Sequence, residues 1–266
     1  MNPYIKEIKK NNRYILGPIF SNMHDALLQS CLQGHMGGSW ADDEKMPTCA
    51  QIIVGDFACL AGNAGSPSAG SLVTHIPVWF KSKEILIVPE TQKWGALIEE
   101  FHKGRFNKIQ RYSISEGKFD IKNLNQIIKS LPAGYRVCPI DSKLYEETMK
   151  NSWSNDFCSL FESAEDYVRR GIGFCVLSGD EIVCGASSYA IYDDGIEIEI
   201  DTRQDHRRKG LAAACAATLI LECLERGLNP RWDAANMESV KLAEKLGYHL
   251  KSPYDTWAVS LKETEG

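Results

Sequence analysis

The chain has 266 residues, 44% of them hydrophobic, which is enough to bury one large core or to form two domains of ordinary size. Its formal net charge of −5 argues against a broad positive field, and so excludes a general binder of nucleic acid or of membrane surfaces. The first residues lack the apolar core of a signal peptide, and no apolar run is long enough to span a bilayer. We therefore expect a cytoplasmic protein.

The first half of the chain alternates strand and helix patterns. We predict two paired strands joined by a flexible, glycine- and serine-rich hairpin connection, followed by strand, helix, strand and helix. These elements cover 50–62 and 71–80 for the pair, then 85–89, 90–104, 106–115 and 120–134. The last helix pattern ends in Pro-Ala-Gly, and the character of the chain changes there. We therefore place a smaller N-terminal α/β domain at 1–134 and a second domain at 135–266.

The second half has a longer and clearer pattern. The order β-α-α-β-β-β-α-β-α-β predicts a mixed α/β fold, with a mostly antiparallel sheet flanked by helices. The predicted elements cover 135–140, 142–150, 156–171, 173–179, 181–192, 195–201, 209–226, a short strand, 237–246 and 256–261. The first half echoes this order weakly, which suggests a degenerate copy of the same fold.

The nine cysteines are odd in number and include no Cys-x-x-Cys pair. This pattern predicts neither a disulfide framework nor a zinc site, and we expect no bound metal. Most of the cysteines are expected to be small buried hydrophobes. Cys31, in a loop-like stretch, would be reactive only beside a base that the sequence does not identify.

A cluster of cations stands at the predicted start of the long apolar helix, in the stretch HRRKGLA. Arg207, Arg208 and Lys209 should repel one another and the positive end of the helix dipole. A diphosphate would neutralise them and accept the unpaired amides, and Gly210 and Ala212 would allow it to approach the backbone. The alternative interpretation is a solvated basic turn.

Two motifs then resemble a known family. Arg207-x-x-Gly210-x-Ala212, after a strand and opening a helix, is similar to the Arg/Gln-x-x-Gly-x-Gly/Ala signature of the GNAT superfamily of N-acetyltransferases. The stretch 236–248 resembles the second helix motif of that superfamily. The resemblance implies a GNAT-like C-terminal domain, acetyl-coenzyme A as donor, and direct transfer of the acetyl group to a small-molecule or peptide amine without an acyl-enzyme.

The resemblance also implies which residues contact the cofactor. They are Ile200, Asp201, Thr202, Arg207, Arg208, Lys209, Gly210, Leu211, Ala212, Asn236 and Ser239. For Asn236 the alternative is a simple helix N-cap, since asparagine is favoured there.

Direct transfer needs a base, because an amine in water at pH 7 is almost wholly protonated. In the strand GIEIEID, side chains alternate, so Glu197 and Glu199 lie on the face opposite three isoleucines. A row of carboxylates attracts a cationic acceptor, and repulsion should raise the pKa of at least one of them. We predict that Glu197 or Glu199 is the base, with an ordinary solvent face as the alternative.

Other roles stay open at this point. Ala243 occupies the position where many GNAT members have a tyrosine acid, so Tyr248, Ser239 or water would have to protonate the leaving thiolate, unless it leaves unassisted. Trp153, Phe157 and Phe161 belong either to the acceptor pocket or to the core.

Three function classes are compatible with the motifs. The first is an N-acetyltransferase, and the second is a non-catalytic acyl-coenzyme A-binding module. The third, a helix that binds nucleic acid phosphates, lacks the further basic residues that it would need along LAAACAATLILECL. The sequence is compatible with a monomer or a homodimer.

Overall fold

The computed structural model describes residues 5–23 and 25–261, which divide into two compact units. The first unit is the chain up to Arg111 together with the segment that begins at Tyr254, and the second is Tyr112–Pro253. Our predicted boundary after residue 134 lies inside the second unit. The difference arises because the helix before that boundary packs against the long apolar helix of the second unit.

Among its described residues, the first unit has five whole strands, three α-helices, and parts of two strands that continue into the second unit. The whole strands are β1 (Lys6–Glu7), β2 (Gly38–Ala41), β3 (Cys49–Val54), β4 (Phe57–Gly62) and β5 (Glu84–Pro89), the shared strands contribute the first part of β6 (Phe106–Ser115) and the end of β13 (His249–Ser260), and the helices are α1 (Ala26–Leu32), α2 (Ala69–Thr74) and α3 (Gln92–Phe101). Neighbours β1 to β4 are antiparallel, β4 and β5 are parallel, and β13 is antiparallel to β5. The core lies between this sheet and α2 and α3, around the fully buried Trp94.

The predicted strand pair of the first half is wrong in one member. The stretch 50–62 alone forms the hairpin, as β3 and β4 around the two-residue turn Gly55-Asp56, where Gly55 has φ +59°. The stretch 71–80 is not a strand, because Leu72 and Val73 are buried as part of α2. Short apolar runs are compatible with either a strand or a helix, so their packing decides. The glycine-rich segment therefore connects a strand to a helix.

The second unit follows the predicted element order. Its sheet has the order β11-β10-β9-β8-β7, antiparallel except for the parallel pair β10 and β11. The strands are β6 (Phe106–Ser115, through its end), β7 (Tyr135–Pro139), β8 (Gly173–Ser178), β9 (Glu181–Tyr192), β10 (Gly195–Thr202), β11 (Asn229–Arg231) and β12 (Asp233–Ala234), and the helices are α4 (Ile121–Lys129), α5 (Ser142–Met149), α6 (Ala164–Arg170), α7 (Leu211–Glu225) and α8 (Met237–Leu246). The helix predicted over 156–171 begins only at α6, because Ser163 caps it by accepting the amide of Asp166.

Opposite faces of β10 meet different helices. On one face, Thr202 donates to Cys184 at 3.2 Å, and the buried Cys215 of α7 packs there. On the other face lies Ser187, whose Oγ is 2.7 Å from the Tyr167 hydroxyl of α6. Residues directly opposite in an antiparallel pair share a face, and Glu199 is opposite Ser187. Glu199 therefore lies on the α6 face, and Thr202 lies on the α7 face.

All nine cysteines are free thiols, and all but Cys138 are buried. Cys31 lies inside α1 rather than in a loop, and burial raises its pKa to about 11, which makes it unreactive. The described residues contain no group of His, Cys, Asp and Glu side chains arranged to hold a metal ion. No described helix is both long and apolar enough to cross a membrane.

The α6 helix is anchored by a buried carboxylate. Asp166 accepts from Arg169 Nη2 at 2.8 Å, from Arg170 Nε at 2.7 Å, and from the Glu162 amide at 3.3 Å. The hydrogen bonds from Arg170 in particular hold the pKa of Asp166 well below its usual range. Because the pKa in the folded protein is depressed, this group stabilises the fold above its unfolded pKa, and the contribution is lost as pH falls towards the folded value.

We expect Asp166→Asn to lower the free energy of unfolding by about 1.5–3 kcal/mol at pH 7, the range for hydrogen bonds to charged groups. The difference from wild type should shrink below about pH 4, where Asp166 of the unfolded chain begins to protonate while the folded carboxylate stays charged. Urea denaturation across pH measures both. The control Asp180→Asn removes a fully exposed partner of Arg136 and should change nothing measurable. A pH-independent loss in Asp166→Asn would show that packing is responsible instead of charge.

Candidate functional site

The parallel strands β10 and β11 separate part-way along their length. They pair at Gly195–Asn229, Ile196–Pro230 and Glu197–Arg231, after which β10 continues to Thr202. The chain beyond β11 turns away and pairs, as β12, with the end of β6. In the described part of the chain, no strand pairs with that edge of β10 beyond Glu197.

A cavity of about 610 Å³ lies along this gap and at the start of α7. Ten of the eleven predicted cofactor residues line it, and the exception is Lys209. The ten are Ile200, Asp201, Thr202, Arg207, Arg208, Gly210, Leu211, Ala212, Asn236 and Ser239. The cavity is also lined by five residues that were not among those predicted to contact the cofactor: His206, Ala213, Glu238, Leu242 and Lys245. The helical spacing of Glu238, Leu242 and Lys245 on α8 is a signal that could have identified three of them.

The start of α7 presents free backbone donors to the cavity. Gly210 has φ +80° and caps the helix, and Arg208 also has a left-handed φ of +61°. The first amide to find a helical acceptor is that of Ala214, which donates to the Gly210 carbonyl at 3.1 Å. Between Arg208 and Ala213, no backbone N–H donates to an acceptor among the described residues. Such converging amides, with the positive end of the helix dipole, form an anion site.

Two of the three cations at this turn have partners within the protein, contrary to our expectation. Arg207 donates to the Thr202 carbonyl at 2.9 Å and to Asp201 at 3.2 Å. Lys209 points away from the cavity and donates to the Tyr135 hydroxyl at 3.2 Å. The end of β10 thus supplies a carbonyl and a carboxylate that relieve part of the repulsion. Among the described residues, Arg208 makes no ion pair.

His206 connects this turn to its surroundings. Arg203 Nη2 lies 2.9 Å from His206 Nε2, and an arginine can only donate, so Nε2 is the acceptor. Nδ1 then carries the proton and donates to the Tyr135 hydroxyl at 3.0 Å. With its lone pair engaged by Arg203, His206 orients the turn.

The two predicted base candidates have different environments. Neither lines the cavity. Glu197 is 8% exposed, and its Oε1 accepts the backbone amide of Asp233 at 2.7 Å. Glu199 is half-buried on the α6 face, opposite Ser187. Glu197 is therefore part of a buried contact and does not lie on a solvent face.

The residues of the second motif are mostly structural. Asn236 Oδ1 accepts the Ser239 amide at 2.9 Å, so the N-cap interpretation of Asn236 is correct, although the residue also lines the cavity. Ser239 Oγ accepts from Trp232 Nε1 at 3.1 Å. Tyr248 is 1% exposed and donates to the Pro230 carbonyl at 2.7 Å. Its hydroxyl proton is therefore directed at Pro230 and not into the cavity, which Tyr248 does not line, and burial raises its pKa well above the usual value.

The aromatic residues near α6 belong mainly to the core. Phe157 and Phe161 are buried, and a Cβ added to Gly185 would lie 2.4 Å from the Phe157 ring. Trp153 is half-buried and packs edge-on against Phe157. The core interpretation is therefore correct for Phe157 and Phe161.

The first unit contains the same succession of strand, helix and parallel strand, as β4, α2 and β5, but here the strands stay together. They pair from Phe57–Leu86 through Leu60–Pro89. Glu90 then closes the end, because its amide donates to the Leu60 carbonyl at 2.8 Å and its carboxylate accepts the Gly62 amide at 2.9 Å. Trp94 Nε1 donates to the Gly62 carbonyl at 3.1 Å. No gap opens between these two strands.

Comparison with known proteins identifies the family. The profile of the GNAT acetyltransferases matches residues 17–257, which include parts of both units. The chain belongs to the GNAT acetyltransferase family. Members of this family generally use acetyl-coenzyme A.

Individual relatives agree with this assignment. The chain is 24% identical to the uncharacterized N-acetyltransferase YdfB of Bacillus subtilis over 227 residues, which is 82% of this chain and 84% of YdfB. A GCN5-related N-acetyltransferase-like protein from Streptococcus suis is 36% identical, with a TM-score of 0.86 over 94% of this chain and 98% of that one. A tandem GNAT protein from the clavulanic acid biosynthesis pathway is 10% identical and shares the fold, with a TM-score of 0.54 over 98% of this chain and 100% of that one. The predicted fold class, a mixed α/β GNAT-like fold with a mostly antiparallel sheet, is confirmed.

The contacts that Arg207 makes within the protein allow a prediction about the free energy of unfolding. Arg207 and Asp201 are 58% and 38% exposed, and exposed pairs contribute little, so Arg207→Ala should lower the free energy of unfolding by less than about 1 kcal/mol. The control Arg208→Ala, which removes only like-charge repulsion, should cause no loss. Urea denaturation of the ligand-free protein measures both variants. A loss above about 2 kcal/mol for Arg207→Ala would assign it a central structural role.

Proposed function

We propose that this GNAT family member is an acetyl-coenzyme A-dependent N-acetyltransferase that acts on a primary amine of a small molecule or a peptide. The observation that carries the proposal is the single cavity that joins the free amides at the start of α7 to the unpaired edge of β10. Coenzyme A has two parts of matching chemistry, a diphosphate and an arm that contains amides. The diphosphate suits the helix start and Arg208, and the arm suits a strand edge with free backbone groups.

We assign the general base to Glu199. Its carboxylate lies on the α6 face of β10, and its neighbour in the strand, Ile200, lines the cavity. Glu199 lies beyond Glu197, where no described strand covers this edge of β10. Glu199 would take a proton from the ammonium, and the free amine would attack the thioester carbonyl. As the carbon–sulfur bond breaks, the nitrogen would lose its second proton to water or to the departing thiolate, leaving the amide and free coenzyme A. The thiolate has a moderate pKa, about 8.5 for a cysteine thiol, so it leaves without a dedicated acid or takes a proton from Ser239 or water.

A second candidate, a non-catalytic acyl-coenzyme A-binding module, is favoured by one observation. Ala243 is fully buried and Tyr248 is bonded to Pro230, so the second motif offers no tyrosine hydroxyl to the cavity. A panel of aminoglycosides, polyamines, amino acids and peptide N-termini, assayed by thiol release, distinguishes the two candidates. Coenzyme A binding without thiol release for any amine would select the binding module.

Binding of the cofactor is tested first by mass action. Coenzyme A at about 100 times its Kd should stabilise the folded protein by about 2.7 kcal/mol, seen as a raised Tm. Gly210→Val should raise the Kd more than about tenfold, because a β-branched side chain blocks approach of the diphosphate to the backbone.

A matched control separates this effect from backbone strain. Gly227, at the other end of α7, also has a positive φ, of +71°, and a Cβ added to either glycine meets no heavy atom of the described residues within 4 Å. Gly227→Val should therefore lower the free energy of unfolding by a similar amount, through backbone strain, yet bind coenzyme A with the same affinity as the wild type. If Gly210→Val binds as tightly as Gly227→Val, the diphosphate site is elsewhere.

The role of Glu199 is tested by removing only its basicity. Glu199→Gln keeps the size of the side chain, so we expect kcat to fall about 10²- to 10⁴-fold at neutral pH while coenzyme A affinity is unchanged. The deficit should shrink at high pH, where more of the acceptor is already a free amine. The control Glu225→Gln changes an exposed carboxylate at the end of α7 and should leave turnover at the wild-type value. Full activity of Glu199→Gln at neutral pH would assign deprotonation to solvent or to another group.

A further inference from the structure

We propose that Glu197 is a positioning residue that holds β10 and β11 apart, and that its carboxylate does so by capturing the backbone amide that a continuous sheet would pair with β10. This inference deepens the proposed function and rests on it for the identity of the ligand. It also separates the roles of two glutamates that the sequence pattern makes equivalent.

The hydrogen-bond pattern identifies the captured amide. The Asn229 amide donates to the Asp194 carbonyl at 2.8 Å, which sets which amides of β11 face β10. A parallel ladder repeats every two residues, so the next donors in line are the amides of residues 231 and 233. In a continued ladder the Asp233 amide would reach the Ile198 carbonyl. It donates instead to Glu197 Oε1, at 2.7 Å.

Three features of the sheet coincide at Glu197. Its pair with Arg231 is the last between β10 and β11. On the other edge, the register with β9 shifts between Glu197 and Ile198, so that Tyr189 is an extra residue in β9. Glu197 is only 8% exposed, so the hydrogen bond that its carboxylate accepts from the Asp233 amide is shielded from water and has a defined geometry. The end of the β10–β11 pairing, the irregularity in β9 and the buried hydrogen bond to Asp233 therefore all occur at Glu197.

Two buried tyrosines, Tyr192 and Tyr248, lie near Glu197. Burial raises the pKa of Tyr192 to about 12, with Arg231 opposing and the charges of Glu116 and Glu197 adding to the rise. The pKa of Tyr248 is raised by burial above all and also by Glu197. These two tyrosines therefore stay neutral while Glu197 holds the Asp233 amide.

The consequence concerns the ligand. Because the Asp233 amide is held by a side chain, the Ile198 carbonyl and the edge beyond it stay open to the cofactor arm. Loss of the carboxylate would let the strands approach, or leave the Asp233 amide to find another acceptor, and either result changes the width of the gap. Glu197 thus acts on cofactor affinity through the backbone, and not as a proton acceptor.

The test uses substitutions that separate hydrogen bonding from basicity. Glu197→Gln keeps a side-chain oxygen that can accept the Asp233 amide but cannot act as a base, so Kd for coenzyme A and kcat should stay within about threefold of wild type. Glu197→Ala removes the acceptor, and Glu197→Asp keeps the charge but stops one carbon short. Both should raise the Kd about tenfold or more by calorimetry, with KM for acetyl-coenzyme A rising in parallel. Glu225→Ala, an exposed change at the end of α7, is the control and should bind normally.

Amide hydrogen exchange at Asp233 in the ligand-free protein gives a readout that needs neither cofactor nor activity. Exchange should be slow in wild type and Glu197→Gln, and faster in Glu197→Asp and Glu197→Ala. Should Glu197→Ala fail to fold, Glu197→Asp carries the same comparison.

Two results would overturn the proposal. One is a fall in kcat of about 100-fold in Glu197→Gln with unchanged coenzyme A affinity, which would make Glu197 the base. The other is wild-type affinity and wild-type Asp233 exchange in Glu197→Ala or Glu197→Asp. Failure of the wild type itself to bind coenzyme A would refute the proposed function, while the exchange data would still decide whether Glu197 holds the strands apart.

Discussion

The separation of β10 from β11 is the constraint on which the rest of the second unit depends. A parallel pair satisfies its backbone groups through a ladder, so opening the pair leaves donors and acceptors that need other partners. Here the chain beyond β11 finds them by turning into β12, which pairs with β6, and by donating the Asp233 amide to Glu197. The free edge of β10 and the free start of α7 then line one cavity.

The first unit shows what the same succession of elements does without this separation. There, β4 and β5 stay paired to their ends, and Glu90 and Trp94 both bond to Gly62. In each unit a glutamate carboxylate accepts a backbone amide beside the parallel pair. In the first unit the bond joins the two strands at their end, whereas in the second it diverts an amide away from the ladder. This contrast explains how the chain leaves a gap between the parallel strands of its second unit while the corresponding strands of its first unit are closed.

The basic turn before α7 combines two functions that its sequence does not separate. Arg207 and Lys209 hold the turn to the end of β10 and to Tyr135, and His206 joins the same network through Arg203. The residues beside them whose amides make no hydrogen bond to described residues, Arg208 and 210–213, line the cavity instead. A rigid loop that presents backbone donors costs less to organise when an anion arrives than a mobile one would, which is the physical advantage of fixing the cations first.

The sequence by itself determined the fold class, most element boundaries and most of the cavity lining. Hydrophobic periodicity and glycine stops are local signals, so α8 was predicted to the residue, and the spacing around Gly210 located the helix start. Tertiary packing decided the features that depend on contacts between residues far apart in the sequence. It converted 71–80 from a strand to a helix and turn, and it buried Tyr248 against Pro230. It also distinguished Glu197 from Glu199. Strand alternation places both side chains on one face, so the sequence pattern cannot separate them. The difference comes from the Asp233 amide, thirty-six residues further along the chain, which donates to Glu197.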